Sequence, residues 1–232
     1  MRNSVLNVRT ILSSRVTTAV LVAVFALAGA QLVASLQTSV FLPGNNTGYE
    51  PVQPIAYSHR LHAGELGIPC LYCHTGAEKG RHAGIPPAAT CMNCHRTVTT
   101  SYAAMRAEDE RATREQRRAR RITSPELATL YAALALSDSM QRDPARALDP
   151  IAWIRIHRVP DFVAFDHSAH IAASVACQTC HGDVQTMERV RQVSDLTMGW
   201  CVNCHRAENA TGRSIGGKRR VNAPTDCSAC HH

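Results

Sequence analysis

The chain has 232 residues, room for one or two ordinary domains, and its 25 Lys and Arg outweigh 18 Asp and Glu to give a formal net charge of +7. Aromatics make up only 5% of the residues while cysteines number ten, a balance that excludes a plain apolar-core protein and argues against a nucleic-acid binder. All ten cysteines fall in one pattern, Cys-x-x-Cys-His, used five times, which also argues against a disulfide framework.

Residues 1–15 form a short N-terminus carrying Arg2, Arg9 and Arg15. Val16 to Leu36 is uncharged, and a helix of that length spans about 32 Å at roughly 1.5 Å per residue, matching a ~30 Å hydrocarbon core. The apolar run continues to Leu42, so residues 16–42 are expected to be a transmembrane anchor. No Lys or Arg follows until Arg60, so the positive-inside rule places the N-terminus in the cytoplasm and the remainder outside, in a single-pass topology. The competing reading is a cleaved signal peptide with Ala28-Gly29-Ala30 at the cleavage site, for which the apolar run is long. Ala26, Ala30 and Ala34, with Gly29 and Gln31 beside them, make a stripe suited to docking on another membrane helix. Residues 43–56 read as a polar linker.

Residues 57–100 hold the first two runs, Cys70-Leu-Tyr-Cys73-His74 and Cys91-Met-Asn-Cys94-His95, preceded by Tyr57-Ser-His59-Arg-Leu-His62. Residues 101–150 are an insertion. Its first part, MRAEDERATREQRRARR, is dense in charge and in helix formers, and either a solvated helix face or a docking face would suit it. Ser124-Pro125-Glu126 then reads as an N-cap with Pro at the first helical position. Residues 151–206 repeat the earlier pattern: Phe165-Asp-His167-Ser-Ala-His170, then Cys177-Gln-Thr-Cys180-His181 and Cys201-Val-Asn-Cys204-His205. Residues 57–96 and 165–206 thus look like two copies of one module. Residues 207–232 carry the last run, Cys227-Ser-Ala-Cys230-His231.

The spacing has a chemical reason. Two thiols one helical turn apart can bond the two vinyl-derived carbons of a porphyrin edge, and the His that follows lies under the ring and ligates its iron. A lone Cys-x-x-Cys suits a redox pair or half a zinc site, but neither requires His after every second Cys. Five covalently bound haem c groups are therefore expected, with His74, His95, His181, His205 and His231 as proximal ligands. Attachment of haem c on the outer face of the bacterial cytoplasmic membrane agrees with the topology above. The propionates of five haems offset much of the positive charge, and Arg pairs well with carboxylates. With roughly 38 residues per haem, far fewer than a domain normally supplies, the porphyrins rather than side chains should form the core. The expected fold is mostly irregular and α-helical, with little sheet.

Seven His remain for the opposite iron faces: His59, His62, His82, His157, His167, His170 and His232. Two His three apart on one short helix share a face yet diverge enough to reach two irons. His59 and His167 can each fold back onto the local haem, and His62 and His170 can reach neighbours. His82 has a similar setting, and His157 could instead meet a propionate. Met198, too close to Cys201 for that haem, could cap another, where a thioether would raise the potential. If every iron is capped on both sides, the protein moves electrons and does no substrate chemistry.

The aromatic-x-His-x-x-His before Cys-x-x-Cys-His resembles class III multihaem cytochromes. A wider set is similar to the pentahaem cytochrome subunits of bacterial Alternative Complex III. It comprises the N-terminal anchor, Ser58-His59 to His74, Arg81-His82-Ala-Gly-Ile-Pro to His95, Trp153 to His157, Asp161-Phe162 to His170 and Leu196-Thr-Met198-Gly-Trp200-Cys201. The resemblance covers most of residues 55–206 and is weak in the insertion. It implies mostly bis-His haems with one His/Met haem. It also implies an electron relay that starts from a polytopic quinol-oxidising membrane subunit and a large iron–sulfur subunit. A monohaem cytochrome, a soluble cytochrome or copper protein, or an oxidase would accept the electrons.

Two other readings compete. A stand-alone membrane-anchored multihaem quinol dehydrogenase also has one N-terminal helix, but it needs a haem with quinol access. A haem reductase of the nitrite-reducing kind uses a Lys-ligated haem, whereas every run here ends in His.

Overall fold

The structure is a computed structural model that describes residues 15–39, 46–216 and 219–231, and the chain divides into two units, Met1–Leu42 and Pro43–His232. In the first unit, helix α1 (Arg15–Ser39) is built from Ala, Leu and Val with no charge after its first residue, and Val22, Phe25 and Leu27 are exposed. Its described side chains run from Thr17 to Val33, short of the roughly 20 residues a span takes. Among the described residues no helix is long and apolar enough to cross a membrane. The structure therefore does not establish the anchor expected over residues 16–42; residues 40–45 lie outside the described residues, as does His232.

The second unit is mostly helical and irregular, with little sheet. A π-helical turn, Arg60–Glu65, is followed by α2 (Cys70–Cys73), a 3₁₀ turn (Thr75–Glu78) and α3 (Ala88–His95). Then come α4 (Tyr102–Arg114), α5 (Pro125–Ala133), α6 (His167–Ala172), α7 (Cys177–His181), a 3₁₀ turn (Val184–Thr186) and α8 (Met198–Thr211). The only ladder among the described residues joins β1 (Ser214–Ile215) antiparallel to β2 (Arg219–Arg220), in the register Ser214 to Arg220 and Ile215 to Arg219.

Short helices that cannot nucleate alone are fixed at their ends by side chains. Ser101 caps α4 through Ala104 N–H, Ser124 caps α5 with Pro125 at the first position, and Thr197 caps α8 through Trp200 N–H. Gly212, at φ +63°, closes α8 in the left-handed conformation that a glycine adopts without penalty.

The side-chain core lies in the insertion, around the helix that opens at Ser124 and Pro125. Leu130 and Tyr131 of α5 and Met140 pack with Ile55 and with Met92 of α3, and Cys91, Leu127 and Trp153 line the edge of the cluster. The insertion is therefore the packed support of the second Cys-x-x-Cys-His run. The Tyr131 hydroxyl donates to the carbonyl of His95 at 2.6 Å, and Ser124 N–H donates to the Thr99 carbonyl at 2.9 Å. Within the charged run, Glu108 is only 4% exposed. It accepts from Arg117 Nη1 at 2.5 Å and from Arg120 N–H at 2.9 Å, and these bonds hold its carboxyl down at about 2.

The two module-like stretches pack reciprocally. The turn bearing His62 sits on the 3₁₀ turn after the third Cys run: Arg60 N–H donates to the Met187 carbonyl at 2.8 Å, and Gly64 lies so close to the Gln185 carbonyl that no Cβ would fit. Helix α6, bearing His167 and His170, sits on the segment after the first run. There Ser168 N–H reaches the Gly80 carbonyl at 3.4 Å, and Arg81 donates to the carbonyls of Val163 and Phe165 at 3.0 and 3.3 Å.

Candidate functional site

Each Cys-x-x-Cys run occupies one helical turn, in α2, α3, α7, α8 and the final 3₁₀ turn Cys227–Ala229, so its two thiols lie one turn apart on one face with the His beside them. None of the ten cysteines is paired in a disulfide, and among the described residues no group of three or more His, Cys, Asp or Glu is arranged to hold a metal ion. Paired sulfurs with a single adjacent imidazole are the donor set that haem attachment needs and that a tetrahedral zinc site does not supply.

Four of the five following His face a second imidazole. The ring centres of His59 and His74 are 6.5 Å apart with planes 4° from parallel, and those of His167 and His181 are 6.3 Å apart at 7°. His62 and His95 stand at 6.0 Å and 58°, and His170 and His205 at 6.1 Å and 35°. Two imidazoles bound through Nε2 to one metal at about 2.1 Å have ring centres roughly 6.3 Å apart. The four observed spacings bracket that value.

The second ring nitrogens are committed elsewhere. A carbonyl can only accept, so each Nδ1 bonded to one carries the proton and leaves Nε2 as the free lone pair. His74 donates in this way to Gly84 at 2.7 Å, His95 to Val98 at 2.8 Å and His205 to Pro224 at 2.5 Å. On the opposing rings, His62 donates to Ser58 at 2.9 Å, His167 to Arg81 at 2.6 Å and His170 to Asp166 at 2.7 Å. His59 Nδ1 is buried with no partner among the described residues. Burial, with neighbouring imidazoles adding to it, pushes His59 and His181 down to about 4, which keeps them in the neutral form that binds metal.

The aromatic that opens each His-x-x-His orients both rings. Tyr57 meets His59 edge-on at 4.8 Å and lies over His62 at 4.4 Å, and Phe165 does the same to His167 at 4.7 Å and His170 at 4.9 Å.

The sites are linked one to the next. One turn of chain carries His59 to the first site and His62 to the second, and another carries His167 to the third and His170 to the fourth. Reciprocal packing joins the first to the third. The fifth is tied in by the Ala164 N–H bond to the Cys230 carbonyl at 2.8 Å and by Pro224 holding His205. The thiols agree. Burial raises Cys91 and then Cys73 adds to it, burial raises Cys177 and then Cys70, and burial raises Cys201 and then Cys230. The order in space is second, first, third, fourth, fifth.

The remaining candidates lie apart from this pattern. His82 is exposed and faces no other ring among the described residues, and Met198, the first residue of α8, is 69% exposed. The Nε2 of His157 lies 3.3 Å from Nδ1 of His181. His231 has Phe162 as its ring neighbour, at 5.7 Å. The carbonyls of Gly84, Val98, Pro224 and Arg81 do as much to aim the imidazoles as any side chain, and no motif announces them.

Residues 163–232 match the family model for cytochrome c7 and related cytochrome c. That stretch contains the third, fourth and fifth runs. The chain is also 25% identical, over 199 residues, to the multihaem cytochrome c subunit of a menaquinone reductase from Nitratidesulfovibrio vulgaris, covering 77% of this chain and 76% of the relative. The comparisons support a multihaem cytochrome c with covalently bound haem c, acting in electron transport, and the relative is by name a subunit of a larger enzyme.

Proposed function

We propose that the chain is the pentahaem electron-transfer subunit of a quinol-oxidising complex of the Alternative Complex III type. It relays electrons from an iron–sulfur subunit to a periplasmic acceptor. The observation that carries this reading is the set of four imidazole pairs, each combining a Cys-x-x-Cys-His histidine with a ring about 6 Å away. Cys70 and Cys73, Cys91 and Cys94, Cys177 and Cys180, Cys201 and Cys204, and Cys227 and Cys230 would hold the five haems covalently. His74, His95, His181, His205 and His231 would be the proximal ligands, and His59, His62, His167 and His170 the distal ligands of the first four. Bound haem supplies one-electron redox chemistry; the chain's own residues fix the imidazoles and set the sites in one row.

Iron capped on both faces is suited to electron transfer and closed to substrate, which supports a carrier role for the first four sites. Residues 16–42 would anchor it in the cytoplasmic membrane with the haem unit outside. The absence of charge after Arg15 in α1 and the exposed Val22, Phe25 and Leu27 support this. Its partners would be polytopic quinol-binding subunits, the iron–sulfur subunit, and a monohaem cytochrome, soluble cytochrome, copper protein or oxidase.

The name of the relative favours a second reading in which the same relay runs toward menaquinone. One preparation separates the possibilities. Membranes are extracted in mild detergent, the haem-staining native band is analysed for its proteins, and haem per chain is counted by pyridine haemochrome. Five haems and a band holding iron–sulfur and polytopic subunits are expected. Reduction of the haems by quinol supports the oxidising direction, and reduction of menaquinone by an added electron donor supports the reverse. A band holding this chain alone that is still reduced by quinol overturns the subunit reading in favour of a stand-alone dehydrogenase.

A further inference from the structure

The proximal histidines of the first, second and fourth sites each donate Nδ1–H to a backbone carbonyl, an acceptor that no substitution alters. The third differs. Nδ1 of His181 meets a side chain, Nε2 of His157, at 3.3 Å, and the two rings stand edge to face with centres 4.3 Å apart. His157 lies outside any helix or strand, on the stretch after Trp153, and its carbonyl accepts from Arg155 Nε at 3.0 Å. It faces the back of His181, while His167 faces the front.

We infer that His157 is a positioning residue that accepts the Nδ1–H of His181 and so sets the electron affinity of the third site. The inference rests on the haem reading above. If Nε2 of His181 is committed to iron, its Nδ1 must carry the proton, so Nε2 of His157 supplies the lone pair and His157 is protonated on Nδ1. A hydrogen bond taken from the far side of a ligating imidazole raises its basicity, and a more basic ligand favours the oxidised metal. The third site stands in the middle of the row, between the first and the fourth. A side chain there can place the central carrier relative to its neighbours, as the fixed carbonyls elsewhere cannot.

The test uses the full-length holoprotein, titrated potentiometrically with optical and EPR detection, as wild type, His157→Phe and His157→Glu. Phe keeps the ring volume and removes the acceptor; Glu supplies a stronger one. His157→Phe should raise one potential, shifting that redox equilibrium on the order of tenfold, about 59 mV for one electron. His157→Glu should lower the same potential, and the other haems should not move. Potentials unchanged in both variants overturn the inference, as does a low-spin to high-spin change in His157→Phe, which would make His157 a ligand. If His157→Phe is not recovered with haem, His157→Glu alone decides by the sign of its shift. Haem content of the wild type is measured alongside: fewer than five haems per chain defeats the pentahaem reading, whereas five haems with unmoved potentials defeats this inference alone.

Discussion

The imidazoles of His167 and His181 lie 7° from parallel, while those of His62 and His95, in a site built from the same kind of residues, are twisted by 58°. The two rings are also tethered differently. Nδ1 of His167 is held by the carbonyl of Arg81, from the segment packed across α6, whereas Nδ1 of His62 bonds within its own turn to Ser58. Mutual ring angle sets the splitting of the iron d orbitals. The oxidised protein should therefore show two rhombic low-spin EPR signals from the near-parallel sites, together with signals of larger maximum g from the twisted ones. Four identical signals would contradict these angles.

Removing a distal ring should act on one site. His62→Ala is expected to convert the second haem from low to high spin and make it accessible to carbon monoxide, at about one fifth of the total haem absorbance if there are five haems. His82→Ala should leave every spectrum unchanged, since His82 is exposed and faces no ring among the described residues. Spectra of the purified variants check both statements.

The insertion should matter for stability out of proportion to its charge. Leu130→Ala removes a buried side chain from the only packed cluster among the described residues and should cost about 2–5 kcal/mol. Tyr131→Phe, which leaves the ring and deletes the bond to the His95 carbonyl, should cost roughly 1 kcal/mol. Denaturant unfolding of the holoprotein, followed by far-UV circular dichroism, measures both.

Glu108 gives a pH dependence whose sign is fixed. Its carboxyl is held at about 2 in the folded chain against an ordinary 4.5. The unfolded chain thus binds the proton first as pH falls. The stabilisation is fully present above 4.5 and is lost between 4.5 and about 2. Wild type should melt above Glu108→Gln at neutral pH, and the gap should close over that interval. A gap independent of pH would show that the carboxylate charge is not what the Arg117 and Arg120 contacts serve.

Gly64→Ala would press a methyl group into the Gln185 carbonyl, a backbone atom with little freedom to yield. Overpacking of this kind costs about 1–3 kcal/mol and here falls on the seam between the two reciprocally packed stretches. Gly80→Ala, where a Cβ meets nothing within 4 Å, is the control and should be nearly silent. Thermal melts of the two variants make the comparison.

The attachment runs and the His-x-x-His turns were legible because covalent chemistry demands fixed spacing, and residues three apart on a helix have a known geometry. The partners of those residues were not. His74 is aimed by the carbonyl of Gly84 and His205 by that of Pro224, and a backbone oxygen leaves no mark in a sequence. The role of the insertion was hidden for another reason. In a run as charged as MRAEDERATREQRRARR, a buried Glu108 looks like any solvated neighbour, and only the fold shows Arg117 and the Arg120 amide turned toward it. His157 was visible as a candidate ligand, but its contact with His181 depends on a segment outside helix and strand whose path no periodicity reveals.

The reciprocal seating of the two stretches has a consequence for how such a chain can change over generations. Tandem copies joined like beads can be lost, shuffled or multiplied one at a time. Here each copy supplies the surface that holds the other's histidines: Arg81 of the first positions His167 of the second, and Met187 of the second anchors the turn of the first. Deleting either copy would leave the survivor's ligands without a support, so a duplication of this form cannot be undone in a single step.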